Sequence, residues 1–256
     1  MCTLRELTEN RRDLSKRPGN ACIFGQEGSG VRFCTKSMIA DILANTSDMV
    51  IAISTTDYLD GVVEAFGGLT YTLSPIGRID SSQNAEDHAS FSLVNYRIPD
   101  YDSSEKAVVP YKICLQHLDF FLQFMKFHVQ NDSKRIWLFF EDITVPLADI
   151  EAARILERLF AIGRKSGIIC TGLDHYVQDA VKNPSGICIL ANSPYIFLLN
   201  QSGLNAHLLS NLLQLEHHFE RELQALRPAT GFVSNPETKR FELFELQIGP
   251  NEYHHM

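Results

Sequence analysis

The 256-residue chain is short of several things, and each shortage removes a class of function. It has no Cys-x-x-Cys pair among its six cysteines, at positions 2, 22, 34, 114, 170 and 188. That argues against a structural zinc ribbon or a dithiol redox centre. Cys22, Cys170 and Cys188 sit in apolar runs and read as reduced thiols of a core. The nine histidines are scattered. The adjacent pairs His217-His218 and His254-His255 would point about 100° apart on a helix, so they form no ligand face. Positive charge is scarce: 23 Lys and Arg against 31 Asp and Glu give a net charge of −8, which disfavours a basic nucleic-acid surface over the whole chain and leaves a local patch open. No apolar run approaches the roughly 18–20 residues of a membrane span, and the first residues are charged and lack a signal core. The expectation is a cytoplasmic protein, either on its own or peripheral at the inner face of a membrane.

What is present suits a large globular core, with 45% hydrophobic and 21% charged residues. The most informative stretch is 22–36. An apolar run ending at Phe24 predicts a buried strand, Gly25, Gly28 and Gly30 predict a tight turn, and a helix follows to about Ala44. This is the layout of a phosphate-binding loop, Gly-x-x-x-x-Gly-Lys-Ser/Thr. Gly25 and Gly30 have the required spacing. Val31 and Arg32 stand where the pattern needs Lys and Ser or Thr. Gly25, Gln26, Glu27, Gly28, Ser29, Gly30, Val31 and Arg32 are therefore the candidate nucleotide-binding residues of a loop that has lost its two key side chains.

The rest of the chain reads as α/β. Met49–Ser54 is a continuous apolar run, as for a strand buried on both faces of a parallel sheet. Helix is expected over Tyr58–Ala65 and strand over Leu69–Leu73. Residues 74–107, rich in Ser, Asp and Asn, read as a long irregular insertion. Val108–Val129 is expected to be an amphipathic helix with Leu118, Phe121, Leu122 and Met125 on its core face. Arg135–Asp142 reads as a strand ending in two acids, Asp149–Lys165 as a helix, Ile168–Leu173 as a strand, and Val177–Lys182 as a short helix. Ile187–Ala191 reads as a short helix or an extended turn and Tyr195–Leu199 as a strand. Two helices, Asn205–Leu213 and Glu216–Leu226, and a hairpin, Ala229–Val233 with Arg240–Leu246, close the domain. The organisation expected is a basic lead-in over 1–19, one domain over 20–250 and a tail over 251–256.

The order of these landmarks resembles the C-terminal motor domain of conjugative-transfer, type IV secretion P-loop ATPases. The family pattern Asn-Gly-x-Ile-Leu-Gly-x-x-Gly-Ser-Gly-Lys-Ser-Phe is followed from Gly19 to Phe33, with Lys36 in the helix. Its Asp-Pro-Glu-x-Glu-Tyr leading to Gly-Gly corresponds to Ile53–Tyr58 leading to Gly67-Gly68. Arg164-Lys165-Ser166-Gly167 with Thr171-Gly172 looks like its Arg-Lys-x-Gly…Thr-Gly segment. Asn192-Ser193 with Leu199-Asn200-Gln201 resembles its Asn-Ser…Leu-Asn-Gln signature.

The resemblance implies a RecA-like fold, a mainly parallel sheet flanked by helices. It implies partners among conjugation or secretion subunits, including an active ATPase paralogue, with DNA contact and self-association left open. Family members usually carry another domain before this one, so the chain reads as a piece of a longer protein or as a stand-alone subunit.

The departures from the pattern decide the chemistry. A working loop needs Lys for phosphate charge and a hydroxyl for Mg²⁺. Val31 offers no donor and Arg32 no oxygen, although a guanidinium could pair with phosphate directly. The acids that should end the third family strand are replaced by Phe139-Phe140. Glu141 and Asp142 follow two residues later, on the same strand face but about 6–7 Å further along. They are either substitutes for the missing acids or a solvated strand end or helix-approach cap. His175 stands at the position of a γ-phosphate-sensing Gln and otherwise reads as a loop histidine. Arg164 matches a residue that reaches a neighbouring subunit, or else serves as a basic helix C-terminus. Glu141, Asp142, His175 and Arg164 are thus the catalytic candidates if the site works. No metal site and no cofactor are expected, with ATP and Mg²⁺ entering only in that case. The sequence reading is a degenerate, non-hydrolysing ATPase-like domain. An active atypical ATPase and an unrelated α/β binding module are its rivals.

Overall fold

The computed structural model describes residues 2–3, 19–73, 91–98, 104–128, 134–236, 238 and 240–246. Most of the basic lead-in, the tail and the stretches 74–90 and 99–103 of the expected insertion lie outside them. So do the side chains of Phe121 and Met125.

In chain order the described elements are β1 (Cys2–Thr3), β2 (Ala21–Phe24), α1 (Val31–Asn45), β3 (Met49–Ser54), α2 (Asp60–Ala65), β4 (Leu69–Thr72), β5 (Leu93–Arg97), α3 (Ser104–His128), β6 (Ile136–Phe140), α4 (Ile150–Ile162), β7 (Ile168–Asp174), α5 (Val177–Lys182), α6 (Pro184–Ala191), β8 (Tyr195–Leu199), α7 (Gly203–Leu212), α8 (His217–Ala225), β9 (Thr230–Asn235) and β10 (Arg240–Glu245). Short 3₁₀ turns at Val145–Ala148 and Gly163–Ser166 flank α4. The chain divides into two compact units, residues 1–37 with 171–256 and residues 38–170, so the division falls inside α1 and inside β7.

In the first unit β8 and β7 flank β2, both parallel to it, with Cys22 opposite Gly172 and Ile196. Antiparallel β9 and β10 extend the sheet beyond β8, and β1 pairs in parallel with β10. Phe197 meets Phe244 edge-on at 5.7 Å, and Phe219 packs on Phe232 at 4.5 Å. Gly231 has a structural reason: a Cβ there would lie 2.6 Å from the Phe244 ring and 2.8 Å from the Leu198 carbonyl oxygen. The thiols behave as core. Cys22 is buried and its Sγ donates to Ser193 Oγ at 3.3 Å. Burial pushes its pKa up to about 12, which makes it unreactive.

In the second unit β6, β3, β5 and β4 are all parallel, in that order. All six residues of β3 are buried, as its unbroken apolar run requires. The stretch read as an irregular insertion holds β5, paired with β3 and β4, and the first turn of α3. Four of the five β5 residues are buried, Asn95 included. The buried side of α3 includes Tyr111, Leu115, Leu118 and Leu122.

Asp149 fixes the start of α4. Its Oδ1 accepts from the N–H groups of Glu151 and Ala152 at 2.9 and 3.0 Å, and its Oδ2 accepts from Lys112 Nζ at 3.1 Å. The backbone bond from Ala152 leads the causes that hold its carboxyl below the ordinary value, with Lys112 adding to it. A depressed folded-state pKa means the stabilisation is complete above the unfolded value near pH 4, and is lost as pH falls through the lower folded value. Asp149→Ala should cost about 1 kcal/mol in urea unfolding at pH 7. Its gap to the parent chain should close on acidification below pH 4.

Candidate functional site

The glycine loop lies in the first unit and is fixed by protein backbone on both sides. Gly25 N–H donates to the Asp174 carbonyl at 3.4 Å and Gln26 N–H to the Asn200 carbonyl at 2.9 Å. Gln26 Nε2 also donates to Asn200 Oδ1, while Asn200 Nδ2 is held by the carbonyls of Gln224 and Leu226 at 3.0 and 2.7 Å. Ser29 N–H closes a turn on the Gln26 carbonyl at 3.0 Å. Gly28 and Gly30 take φ of 77° and 99°, a region open to glycine at no steric cost. From behind, the Ala229 N–H donates to the Ser29 carbonyl at 3.1 Å, and Ala229 itself holds φ 64°. The loop ends where Cys34 N–H bonds the Gly30 carbonyl at 2.8 Å and opens α1.

The side chains at the two critical positions are then clear. Val31, first residue of α1, is 3% exposed. Its Cγ2 lies 2.8 Å from the point where a Cβ on Gly25 would sit, and Ser29 Oγ lies 2.3 Å from it. The valine is folded into the turn rather than projecting over it. Ser29 Oγ is buried with no hydrogen-bond partner among the described residues. Arg32 is half-buried. Val31 supplies no side-chain donor to a phosphate, and the next position no hydroxyl for Mg²⁺. No group of three His, Cys, Asp or Glu suited to a metal occurs among the described residues.

His175 belongs to this loop. Its Nδ1 is 2.8 Å from the Gly25 carbonyl oxygen. A carbonyl only accepts, so Nδ1 carries the proton and, in the neutral ring, Nε2 presents a lone pair. The imidazole is therefore tied to the first glycine of the loop, which a solvated loop histidine would not be.

Glu141 and Asp142 lie in the second unit. They are not a solvated strand end: Glu141 is 2% exposed. Its Oε2 accepts from the Thr55 N–H at 2.6 Å and its own N–H donates to the Ile53 carbonyl at 2.9 Å. Tyr111 OH donates to its carbonyl at 2.7 Å. Asp142, at φ 50°, accepts from Thr55 Oγ1 at 2.9 Å. The two acids clasp the residue that follows β3. Ser54, the residue before it, is buried and donates to Asn95 Oδ1 at 3.0 Å. Phe139 and Phe140 are 1% and 0% exposed.

Arg164 and Lys165 are exposed in the 3₁₀ turn after α4, which Gly167 closes at φ 73°. That placement fits a basic helix C-terminus. Sequence reasoning gave no role to Thr55, Asn200, Ala229 or Tyr111: Ala229 and Tyr111 carry no motif, and Thr55 and Asn200 enter only as members of the segments that resemble the family patterns. Their roles come from contacts 24 to 200 residues apart in the chain, such as the bond between Ser29 and Ala229.

No family model and no curated protein matches the chain. Solved structures do. VirB4 of Thermoanaerobacter pseudethanolicus matches with a TM-score of 0.73 at 12% identity, over 91% of this chain and 90% of that one. The bacterial conjugative coupling protein TrwBdeltaN70 in complex with sulphate matches at 0.63 and 11%, over 93% and 86%. The genome packaging NTPase B204 of Sulfolobus turreted icosahedral virus 2 with AMPPCP matches at 0.62 and 10%, over 90% and 98%. The chain has the α/β P-loop NTPase fold of these proteins, with mostly parallel strands and flanking helices.

Proposed function

We propose that the chain is an ATPase-like subunit of a conjugation or type IV secretion system that does not hydrolyse nucleotide. It serves as a structural or regulatory partner of an active ATPase, in the cytoplasm at the inner face of the membrane, and assembles with secretion subunits or with copies of itself. The fold likeness to VirB4 and TrwB and the ordered sequence landmarks support the system. No helix among the described residues is long and apolar enough to cross a membrane, which is consistent with a peripheral place. The observation that carries the non-hydrolysing reading is the burial of Val31, 3% exposed against Gly25. Phosphoryl transfer relies on charges set around the phosphates, and here the position that normally supplies the nearest one is an apolar side chain turned into the protein. The buried Phe139 and Phe140 at the expected acid positions support the same reading.

The experiment is titration of the purified chain with ATP, with and without Mg²⁺, together with a phosphate-release assay. The expected result is no saturable binding below about 1 mM, which is weaker than roughly 4 kcal/mol of binding free energy, and no release above background. Tight Mg-ATP binding with turnover abolished by Glu141→Gln would overturn the reading in favour of an active atypical ATPase.

A further inference from the structure

Among the described residues of the second unit, the large hydrophobic side chains that stand exposed all lie on α3 and α4. They are Val109 and Phe120 on the first, 53% and 65% exposed, and Ile150 and Ile162 on the second, 72% and 51% exposed. The two helices lie side by side and run the same way. Lys112 Nζ meets Asp149 Oδ2 at 3.1 Å and Glu151 Oε2 at 2.6 Å where α4 begins, and further along both helices Arg158 pairs with Asp119. Each helix therefore carries two apolar tips roughly 16–18 Å apart along its axis, at 1.5 Å per residue, and the ion pairs lie between the helices. Positive charge gathers at the end marked by Phe120 and Ile162. Arg154 is exposed on α4, and Arg164 and Lys165 are exposed in the turn that follows Ile162. Lys134, also exposed, lies beside that turn, its carbonyl oxygen 3.9 Å from the Cβ point of Gly167. Against these four cations stands the half-buried Glu157. The excess is local, since the whole chain carries −8, and a local excess acts within a Debye length.

This arrangement inverts that of a protein contact, in which apolar residues form a dry centre inside a polar rim. Here the ion pairs are central and the apolar tips stand around them. A nucleic-acid phosphate backbone offers nothing to receive the tips. An anionic bilayer surface meets both features: separate apolar side chains enter the headgroup boundary while the cations stay at the level of the lipid phosphates. We propose that the outer face of α3 and α4 rests on an anionic lipid bilayer, with Phe120 and Ile162 inserted and Arg154, Arg164, Lys165 and Lys134 against the headgroups. The inference deepens the peripheral place proposed above and rests on it, not on the absence of hydrolysis.

The test is co-sedimentation of the full chain with vesicles of phosphatidylcholine, alone or with about one-third phosphatidylglycerol. The chain should bind the anionic vesicles at least about tenfold more tightly than the neutral ones, and should lose most of that preference at about 0.5 M salt. The double variant Phe120→Ser, Ile162→Ser should weaken binding to the anionic vesicles about tenfold, and Lys134→Gln, Lys165→Gln by a similar factor. All four positions are exposed, and an unchanged circular dichroism spectrum checks that each variant folds. Equal binding to both vesicles, or binding to neither, would overturn the anionic lipid contact. Anionic binding that survives both double variants would overturn this surface while leaving the peripheral place standing. A dimer in sedimentation velocity that Phe120→Ser, Ile162→Ser abolishes would overturn the lipid in favour of a second copy. Fractionation of the chain with membranes of cells that carry the secretion system tests the peripheral place separately.

Discussion

Phe140→Ala should lower the stability of the chain by about 4 kcal/mol in urea unfolding, within the range for truncating a buried aromatic ring. Phe140 is 0% exposed at the end of β6, and its ring lies 6.1 Å from that of Phe160 on α4. The larger consequence concerns chemistry. Phe140→Glu writes back an acid where the resembling family ends this strand. At a site with no exposure that carboxylate would lose its water and gain no partner, at a cost of several kcal/mol. The variant should fail to accumulate as folded protein, read as loss of a cooperative thermal transition. A soluble Phe140→Glu chain with unchanged Tm would show that the strand end is wetter than its burial indicates.

The second large effect is a gain. The double variant Val31→Lys, Arg32→Ser should acquire affinity for inorganic phosphate or ADP at least about tenfold above the parent chain, a change of roughly 1.4 kcal/mol in binding free energy. The geometry for this is in place. Gly28 and Gly30 already hold the turn, and α1 begins at position 31 with no acid in its first turn, so its N-terminus favours an anion. The lysine cannot stay where Val31 sits, 2.8 Å from the Cβ point of Gly25, and must leave the turn for the mouth of the loop. Removing the buried valine should cost about 1.5–2 kcal/mol of folding stability. Isothermal titration gives the first number and urea unfolding the second. An unchanged phosphate affinity in a folded double variant would mean that the turn is not a phosphate cradle.

The sequence made the buried parallel strands legible because a strand covered on both faces needs an unbroken apolar run, and Met49–Ser54 and Tyr195–Leu199 have one. The loop was legible from glycine spacing, because its left-handed positions admit few other residues. Strand β5 was not. It is five residues long, carries Asn95 and Arg97, and follows a polar stretch, so its local signal is weaker than its surroundings. Nothing local marks Asn95 as buried, since its Oδ1 is met by Ser54 from another strand. The fate of Glu141 was hidden for the same reason: its partner Thr55 lies 86 residues away. The position of an acid at a strand end is readable, but whether it faces water or a backbone N–H is a property of the packed neighbour.

The bond from Ala229 to Ser29 gives the loop a support that no ligand provides. Gly30 backs closely onto Ala229, whose carbonyl in turn accepts from Leu246 at 2.7 Å, so the curve of the loop is tied to the C-terminal hairpin. Its shape is thereby paid for by the hairpin's own folding energy. The turn is therefore held by protein backbone whatever side chains stand at positions 31 and 32. Unfolding of the C-terminal hairpin would release the loop with it, so the two share one local stability.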